Sequence, residues 1–210
     1  MKVLFLGAHC DDIELGCGAT LHKHKKDWDV TAAILGSSDI SKNTLHWKSP
    51  QNDAAAIEKA TVIALNYLGV SQIIRKDFKS CFFRESRNEI WQFLSGLEKT
   101  IKPDLVFSQH ADSHQDHETL YLETLRNFRA TPVLFYRPHQ RDSTPFTPNT
   151  FSVVSETNVQ MKNTALDFYR ATIQERPYFR PENIIAEMRV HGMKIEQTYA
   201  EAFIATRNYI

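Results

Sequence analysis

Apolar residues along the first two thirds of the chain are grouped in short runs, separated by stretches in which apolar and polar residues recur at helical spacing. Four runs, KVLFL, VTAAIL, DLVF and PVLFY, are almost continuously apolar, as expected of strands buried on both faces of a sheet. The pattern predicts strands at 2–7, 29–35, 71–75, 104–108 and 132–136, and helices at 16–26, 52–68, 87–101 and 117–128. This alternation indicates an α/β fold, a Rossmann-like three-layer sandwich with a mostly parallel central sheet.

The last third of the chain has a less regular pattern. It predicts a loop at 142–149, a strand within 151–154, a helix at 156–175, a break at 176–183, and a helix followed by a final strand near 202–206. No internal repeat or low-complexity segment separates this part from the rest. With 210 residues and 42% hydrophobic content, the chain is expected to form one domain over residues 1–210.

Charge and cysteine content limit the partners and the compartment. The 25 basic residues balance 25 acidic ones, so no long-range field attracts nucleic acid or an anionic membrane surface. The first apolar run is broken at Gly7 and by two carboxylates, too early for a signal peptide or a membrane span. Three cysteines without a CxxC spacing favour reduced thiols. We therefore expect a cytoplasmic protein with small-molecule partners and leave a homo-oligomer open.

Two polar loops that follow apolar strands carry the candidate chemistry. The first contains His9 and Asp12, and the second contains His117. In open α/β sheets ligands bind beyond the carboxyl ends of the strands, so these loops meet if their strands are neighbours. His9 and Asp12 can face one point from a single turn, and His117 completes three ligands with a fourth position open for water. The set predicts a catalytic site for Zn²⁺ or another divalent metal.

Other polar residues of the same loops could supply acid–base chemistry. Asp11 is adjacent to a ligand but points elsewhere, and we predict that it is the general base that later protonates a leaving amine. His114 could stabilise an oxyanion if a carboxylate such as Asp116 keeps its imidazole protonated. His110 and Asp112 are either outer partners of the ligands or residues that only structure the loop.

Longer motifs surround these residues. Residues 8–20 read AHCDDIELGCGAT, and residues 114–117 read HQDH. They resemble the AHxDDxExGxGGT and HxDH motifs of the PIG-L/LmbE-like family of zinc-dependent N-deacetylases. KPDLVF, FTPN, RPYF and the closing YAEAF add further similarity, so the resemblance covers nearly the whole chain.

The resemblance implies removal of an acetyl group from an N-acetylated amino sugar or glycoconjugate. It also implies a role for each matching residue. These are His9, Asp12 and His117 as zinc ligands, Asp11 as general base and acid, His114 as oxyanion stabiliser, and Asp116 as the residue that tunes His114.

The chain departs from the family pattern at a few positions. Cys10 stands where the family has Pro, and we expect it to be a passive small residue; Ala19 replaces a Gly. The helix before Gly69 lacks the Arg and Glu of many members, and in relatives an Arg near this point can contact the sugar. Arg84 and Arg189 are candidate substitutes that could bind a hydroxyl-rich or anionic substrate. The alternative for both is a solvated surface arginine.

Two other functions remain open from the residues alone. His/Asp clusters at strand ends also suit a metal-dependent phosphoesterase, although few cationic residues flank the motifs. A non-catalytic sugar- or nucleotide-binding α/β module is the second alternative, because Gly16 and Gly18 resemble the start of a GxGxxG loop. Fold alone does not identify the substrate, its free or linked form, or the metal.

Overall fold

A seven-stranded sheet flanked by helices forms the framework of the computed structural model, which describes residues 1–37, 54–139, 143–170 and 176–206. The strands are β1 (Lys2–Gly7), β2 (Asp29–Gly36), β3 (Gln72–Phe78), β4 (Leu105–Gln109), β5 (Val133–Tyr136), β6 (Thr150–Val153) and β7 (Ala200–Ala205). The helices are α1 (Asp12–His24), α2 (Ala54–Leu68), α3 (Arg87–Ile101), α4 (Gln115–Asn127), α5 (Glu156–Arg170) and α6 (Pro181–Met193), with a 3₁₀ turn at Pro177–Phe179.

The strand order is β3-β2-β1-β4-β5-β7-β6. The first five strands pair in parallel, whereas β7 is antiparallel to both β5 and β6. The chain builds outward from β1 through β2 to β3 and then returns to the other side of β1 with β4. The strand order therefore reverses between β1 and β4, which is where an open α/β sheet leaves a ligand crevice.

Both faces of the sheet are covered, and β1 contributes to two separate cores. Val3 and Phe5 pack with residues of α1, α2, α5 and α6, whereas Leu4 and Leu6 pack with residues of α3 and α4 on the opposite face. All four side chains are fully buried. This confirms the α/β three-layer sandwich and explains why the strand sequences are apolar without alternation.

The helix after β1 begins earlier than the sequence pattern predicts. The pattern placed its start at residue 16, but α1 begins at Asp12, with Asp11 as the N-cap. The sequence reasoning assigned the polar residues around Asp11 and Asp12 to the loop after β1, and this misplaced the boundary. Gly16 is required here because an added Cβ would lie 2.1 Å from the ring of Tyr136. The early start places Asp12 in the first helical turn, at the end of β1.

The remaining boundaries agree with the predictions within a few residues. β3 extends to Phe78, α4 begins at Gln115, and residues 143–149 form neither helix nor strand. The first two residues of the helix predicted at 52–68, residue 142 of the predicted loop and 171–175 of the predicted helix lie outside the described residues. None of the described helices has both the length and the apolar character needed to cross a bilayer.

A buried ion pair connects the C-terminal third to the first helix. Lys162 on α5 donates to Glu201 on β7 over 2.7 Å and to the carbonyl oxygen of Leu15 over 2.6 Å. Glu201 also accepts bonds from the backbone N–H groups of Ala19 and Thr20. Lys162 and Glu201 are each only 3% exposed, so these charges are balanced within the protein. The arrangement of one domain over residues 1–210 stays a prediction.

Candidate metal centre and catalytic residues

The two polar loops meet at the carboxyl ends of the neighbouring strands β1 and β4. Gln109, the last residue of β4, accepts a 2.6 Å hydrogen bond from the backbone N–H of Ala8. On the other side, Gly36 at the end of β2 donates to the Ala8 carbonyl oxygen over 2.8 Å. An added Cβ on Gly36 would lie 2.5 Å from that oxygen, so this strand end can approach only without a side chain. The loop bearing His9 is thus fixed from both flanks.

Potential ligand atoms of three side chains converge in front of these strand ends. His9 Nδ1 lies 3.2 Å from His117 Nε2 and 3.4 Å from Asp12 Oδ2. His117 Nε2 lies 3.6 Å from Asp12 Oδ1. Ligands bound at 2.0–2.2 Å around a tetrahedral Zn²⁺ lie about 3.3 Å from one another. The spacing of the three side chains is therefore close to the spacing that a tetrahedral cation requires.

Each histidine of this set presents its other ring nitrogen to a buried carboxylate. His9 Nε2 lies 3.0 Å from Asp116 Oδ2, and His117 Nδ1 lies 2.6 Å from Asp112 Oδ2. Such contacts place the proton on the outer nitrogen, which leaves the inner lone pair free for a metal. This geometry favours the first of the two sequence interpretations of Asp112, that of an outer partner.

Asp116 is held in place by the loop between β3 and α3. Its carboxylate accepts hydrogen bonds from the backbone N–H groups of Cys81 over 2.6 Å and Phe83 over 3.1 Å. Burial would raise the pKa of Asp116. The hydrogen bond to His9, the positive charge of His9 and the two backbone donors hold that pKa below its ordinary value. Asp116 therefore carries a negative charge towards His9.

His114 occupies the N-cap of α4, beside His9 and His117. Its Nδ1 accepts a 3.2 Å hydrogen bond from the backbone N–H of Asp116, so in the neutral ring the proton is on Nε2. Burial and the charges of His9 and His117 lower its pKa to about 4. The expectation that Asp116 keeps this imidazole protonated is not met, because the carboxylate faces His9 and lies 3.9 Å from His114 Nδ1. A neutral imidazole can still donate through Nε2.

Asp11 has the electrostatic environment of a general base. Burial raises its pKa to about 6, and the negative charge of Asp12 adds to the rise. The charges of His9 and Arg176 act in the opposite direction. A carboxyl group with a pKa near 6 is ionised at neutral pH and is a stronger base than an ordinary aspartate.

Negative charge exceeds positive charge around this centre. Burial would lower the pKa of His9, but its bonds to Asp116 and Asp12 raise it well above the ordinary value. Burial would also raise the pKa of Asp12, but the charges of His117 and His9 and the bonds from His9 keep it low. Because the surroundings of His9 favour its protonated, positively charged form, they also favour a bound cation. The donor set and its electrostatics both fit a divalent ion.

Glu14, a fully buried glutamate, lies behind the loop that follows β1, and the sequence reasoning assigned it no role. The Tyr169 hydroxyl donates to the carbonyl oxygen of Cys10 and lies 2.7 Å from Glu14 Oε1. Burial raises the pKa of Glu14 to about 8. A hydroxyl has one proton and the Cys10 carbonyl can only accept it, so the second contact is satisfied by a protonated Glu14. Cys10 itself is buried and its thiol is hydrogen-bonded by Arg75.

The two arginines proposed for substrate binding lie in different places. Arg84 lies in the loop that holds Asp116; it is exposed and pairs with Glu118 over 2.5 Å. Arg189 lies on α6, is also exposed, and contacts the hydroxyl and ring of Tyr199. Both stay predictions. Arg176, which the sequence reasoning missed, has its charge close enough to affect Asp11.

A known protein family matches the part of the chain that contains both motifs. A family model described as PIG-L: GlcNAc-PI de-N-acetylase matches residues 4–128. The chain is 28% identical over 181 residues to the uncharacterized deacetylase YaiS of Escherichia coli (strain K12), an alignment that covers 80% of this chain and 90% of that protein.

Solved structures share the fold at lower identity. The N,N'-diacetylchitobiose deacetylase of Pyrococcus horikoshii is 20% identical, with a TM-score of 0.78, over 98% of this chain and 83% of that one. GalB, the 4-carboxy-2-hydroxymuconate hydratase of Pseudomonas putida KT2440, is 16% identical, with a TM-score of 0.80, over 100% and 97%. These likenesses show the fold alone, since one fold here carries both deacetylase and hydratase chemistry.

Proposed function

Because the chain belongs to the family described as PIG-L: GlcNAc-PI de-N-acetylase, we propose that it is a metal-dependent N-deacetylase. Its substrate is an N-acetylated amino sugar or a glycoconjugate of one, and its products are acetate and a free amine. The observation that carries the proposal is the 3.2 to 3.6 Å spacing of His9 Nδ1, Asp12 and His117 Nε2 beside an aspartate whose pKa is raised to about 6.

His9, Asp12 and His117 would hold the metal, which we propose to be Zn²⁺. A divalent ion in this position lowers the pKa of water and polarises the acetyl carbonyl group. Asp112 and Asp116 hold the two imidazoles by their outer nitrogens, so that the inner nitrogens keep their direction. Three of these side chains would position the metal, and the other two orient the imidazoles that bind it.

Asp11 moves the protons. Above its pKa of about 6 it accepts a proton from the attacking water and then gives it to the nitrogen of the departing amine. Amines leave amides only after protonation, so this second transfer is as necessary as the first. The ionised form must exist at the start of each cycle, which predicts loss of activity as the pH falls below about 6.

His114 stabilises the developing oxyanion. Its Nε2–H is the donor of a neutral imidazole, because Nδ1 is used in the N-cap bond. A neutral donor suffices here, as a preorganised hydrogen bond in a partly dry site is worth about 2.7 to 4 kcal/mol. Its ring lies next to both proposed ligand histidines, with ring centroids 4.7 Å from His9 and 4.9 Å from His117, and this proximity supports the role.

The charges around the centre favour a neutral amide over a phosphate ester. Four aspartates, Asp11, Asp12, Asp112 and Asp116, lie at or next to the proposed metal-binding histidines. They would repel a phosphate dianion but not an acetamido group. Arg84 and Arg189 are proposed as contacts for sugar hydroxyl groups. A cytoplasmic location, which suits a small soluble sugar substrate, is part of the same proposal.

The test is the release of acetate and primary amine from a panel of N-acetylated substrates. The panel contains N-acetylglucosamine, an N-acetylated disaccharide and a nucleotide-linked N-acetyl sugar. The account predicts equal amounts of acetate and amine with at least one of them. Asp11→Asn should lower kcat by at least about a hundredfold, whereas the matched exposed variant Asp29→Asn should keep it. Wild-type turnover in Asp11→Asn, or acetate release without any requirement for metal, would contradict the mechanism.

A further inference from the structure

Cys81 presents a thiol at the edge of the metal centre. It lies in the loop between β3 and α3 and is exposed, whereas Cys10 and Cys17, the other two cysteines, are buried. Its Sγ atom lies 3.9 Å from His114 Nε2. The backbone N–H of Cys81 donates to Asp116 Oδ2 over 2.6 Å, so the residue is fixed there independently of its side chain.

The three groups at this point form a recognisable set of metal ligands. A ligand atom from each of Cys81, His114 and Asp116 lies within 4.8 Å of the others. With Zn–S near 2.3 Å and Zn–N near 2.0 Å, a thiolate and an imidazole on one tetrahedral ion lie about 3.5 Å apart. The observed 3.9 Å needs a shift of a few tenths of an ångström, well within the reach of an exposed side chain. Thiolate and imidazole together select zinc and similar thiophilic ions.

We propose that Cys81 and His114 form a second metal site, which fills only when thiophilic divalent ions are in excess and which then inhibits the enzyme. The site uses other side chains than the set of His9, Asp12 and His117 described above, although it adjoins that set, since the His114 ring lies next to both histidines. Cys81 opens it to solvent, and Asp116 supplies negative charge on its inner side.

The second site is weaker than the first for reasons visible in its hydrogen bonds. Asp116 already accepts bonds from His9 and from two backbone N–H groups. His114 Nδ1 already accepts the N-cap bond, so its proton is on Nε2, the atom that faces Cys81. Binding an ion releases the thiol proton to solvent and moves the imidazole proton from Nε2 to Nδ1, which breaks the N-cap bond. An ion held by His9, Asp12 and His117 breaks no helix-cap bond, so this set fills first.

Inhibition follows from the loss of the His114 donor. When Nε2 binds an ion, it has no proton to give to the oxyanion. This consequence rests on the proposed function, but the existence of the site does not. The two can therefore be tested separately, one by spectroscopy and the other by turnover.

Co²⁺ titration of the metal-free protein tests the site directly, because a Co²⁺–thiolate bond gives a near-ultraviolet charge-transfer band. We expect no such band during the first equivalent and a band that saturates with the second. Cys81→Ser should abolish the band and bind a single equivalent, while Cys17→Ala, which removes a buried thiol, should behave as wild type. A wild-type titration without the band, or the same band in Cys81→Ser, would overturn the proposal.

Zinc inhibition tests the consequence. Each protein is assayed against its own rate at one equivalent of zinc, and the inhibitory concentration should rise by more than about tenfold in Cys81→Ser. An unchanged inhibitory concentration would show that Cys81 does not bind the inhibitory ion. A wild-type protein that shows the second-equivalent band but deacetylates nothing would refute the proposed function and leave the second site standing.

Discussion

Asp112 provides a sharp test of how the metal centre is organised, because its two oxygens serve two different groups. Oδ2 lies 2.6 Å from His117 Nδ1, and Oδ1 accepts a 2.7 Å bond from the backbone N–H of His114. The side chain is only 3% exposed, so solvent does not replace a lost bond. An Asn at this position has one acceptor where two are needed. Either its amide N–H₂ faces the His114 N–H, or it faces the proton on His117 Nδ1.

The expected effect of Asp112→Asn is a loss of metal affinity. If His117 avoids the clash by changing tautomer, its proton moves to Nε2, the ligand atom, and the lone pair is no longer available. Changes to such outer partners weaken metal binding by about 10- to 100-fold, or about 1.4 to 2.8 kcal/mol. We expect the upper end of this range, since both orientations of the amide leave a donor facing a donor.

Competition with a chromophoric chelator measures the dissociation constant without any need for substrate. Asp29→Asn, an exposed change of the same chemistry, serves as the control and should match wild type. His117→Ala sets the scale for complete loss of the ligand. If Asp112→Asn bound the metal within about twofold of wild type, the orientation of His117 by a carboxylate would be refuted.

Three further changes test the packing and charges around the site. Burial raises the pKa of Glu14 from 4.5 to about 8, so the folded protein keeps this side chain neutral below about pH 8 and stability is lost as the pH rises from 4.5 to about 8. Glu14→Gln should remove this dependence, about 3.5 kcal/mol between pH 5 and pH 8 in urea unfolding. Lys162→Met leaves Glu201 buried without its cation and should lower the free energy of unfolding by about 3 to 5 kcal/mol; an unchanged urea midpoint would contradict this. Gly16→Ala should lower the free energy of unfolding by about 1 to 3 kcal/mol or more, because the added methyl group overpacks against Tyr136. Gly96→Ala, in open space on α3, should raise it by about 0.5 to 1 kcal/mol. Equal melting temperatures for the two variants would refute the steric argument.

The sequence predicted the framework well because burial on two faces leaves a strong local signal. β1 and β4 are short apolar runs that end in polar loops, and the crevice rule then placed His9, Asp12 and His117 together. The geometry agrees with that placement, and the family resemblance is confirmed by the match over residues 4–128. The start of α1 was misplaced because the polar residues before Gly16 were assigned to the loop after β1, and the packing of Tyr136 against Gly16 has no local signature.

Long-range contacts of the site left no trace in the local pattern. Arg176 influences Asp11 although the two are far apart in sequence, and neither motif points to the other. Tyr169 lies behind the loop that follows β1, although it is also far from that loop in sequence. The protonation of Glu14 is evident only from the burial of Glu14 and its contact with Tyr169. The direction of Asp116 was also beyond local reasoning, since it depends on backbone donors from the loop after β3.

The metal content of the purified protein is the most direct test of the account. Elemental analysis after gel filtration, on wild type and His117→Ala side by side, should find about one divalent ion per chain in the wild type and none in the variant. Both proteins should give the same circular dichroism spectrum, so that loss of metal is not loss of fold. A wild-type protein that retains no metal after loading, or a variant that retains as much as wild type, would contradict the assignment of His9, Asp12 and His117 as the metal site.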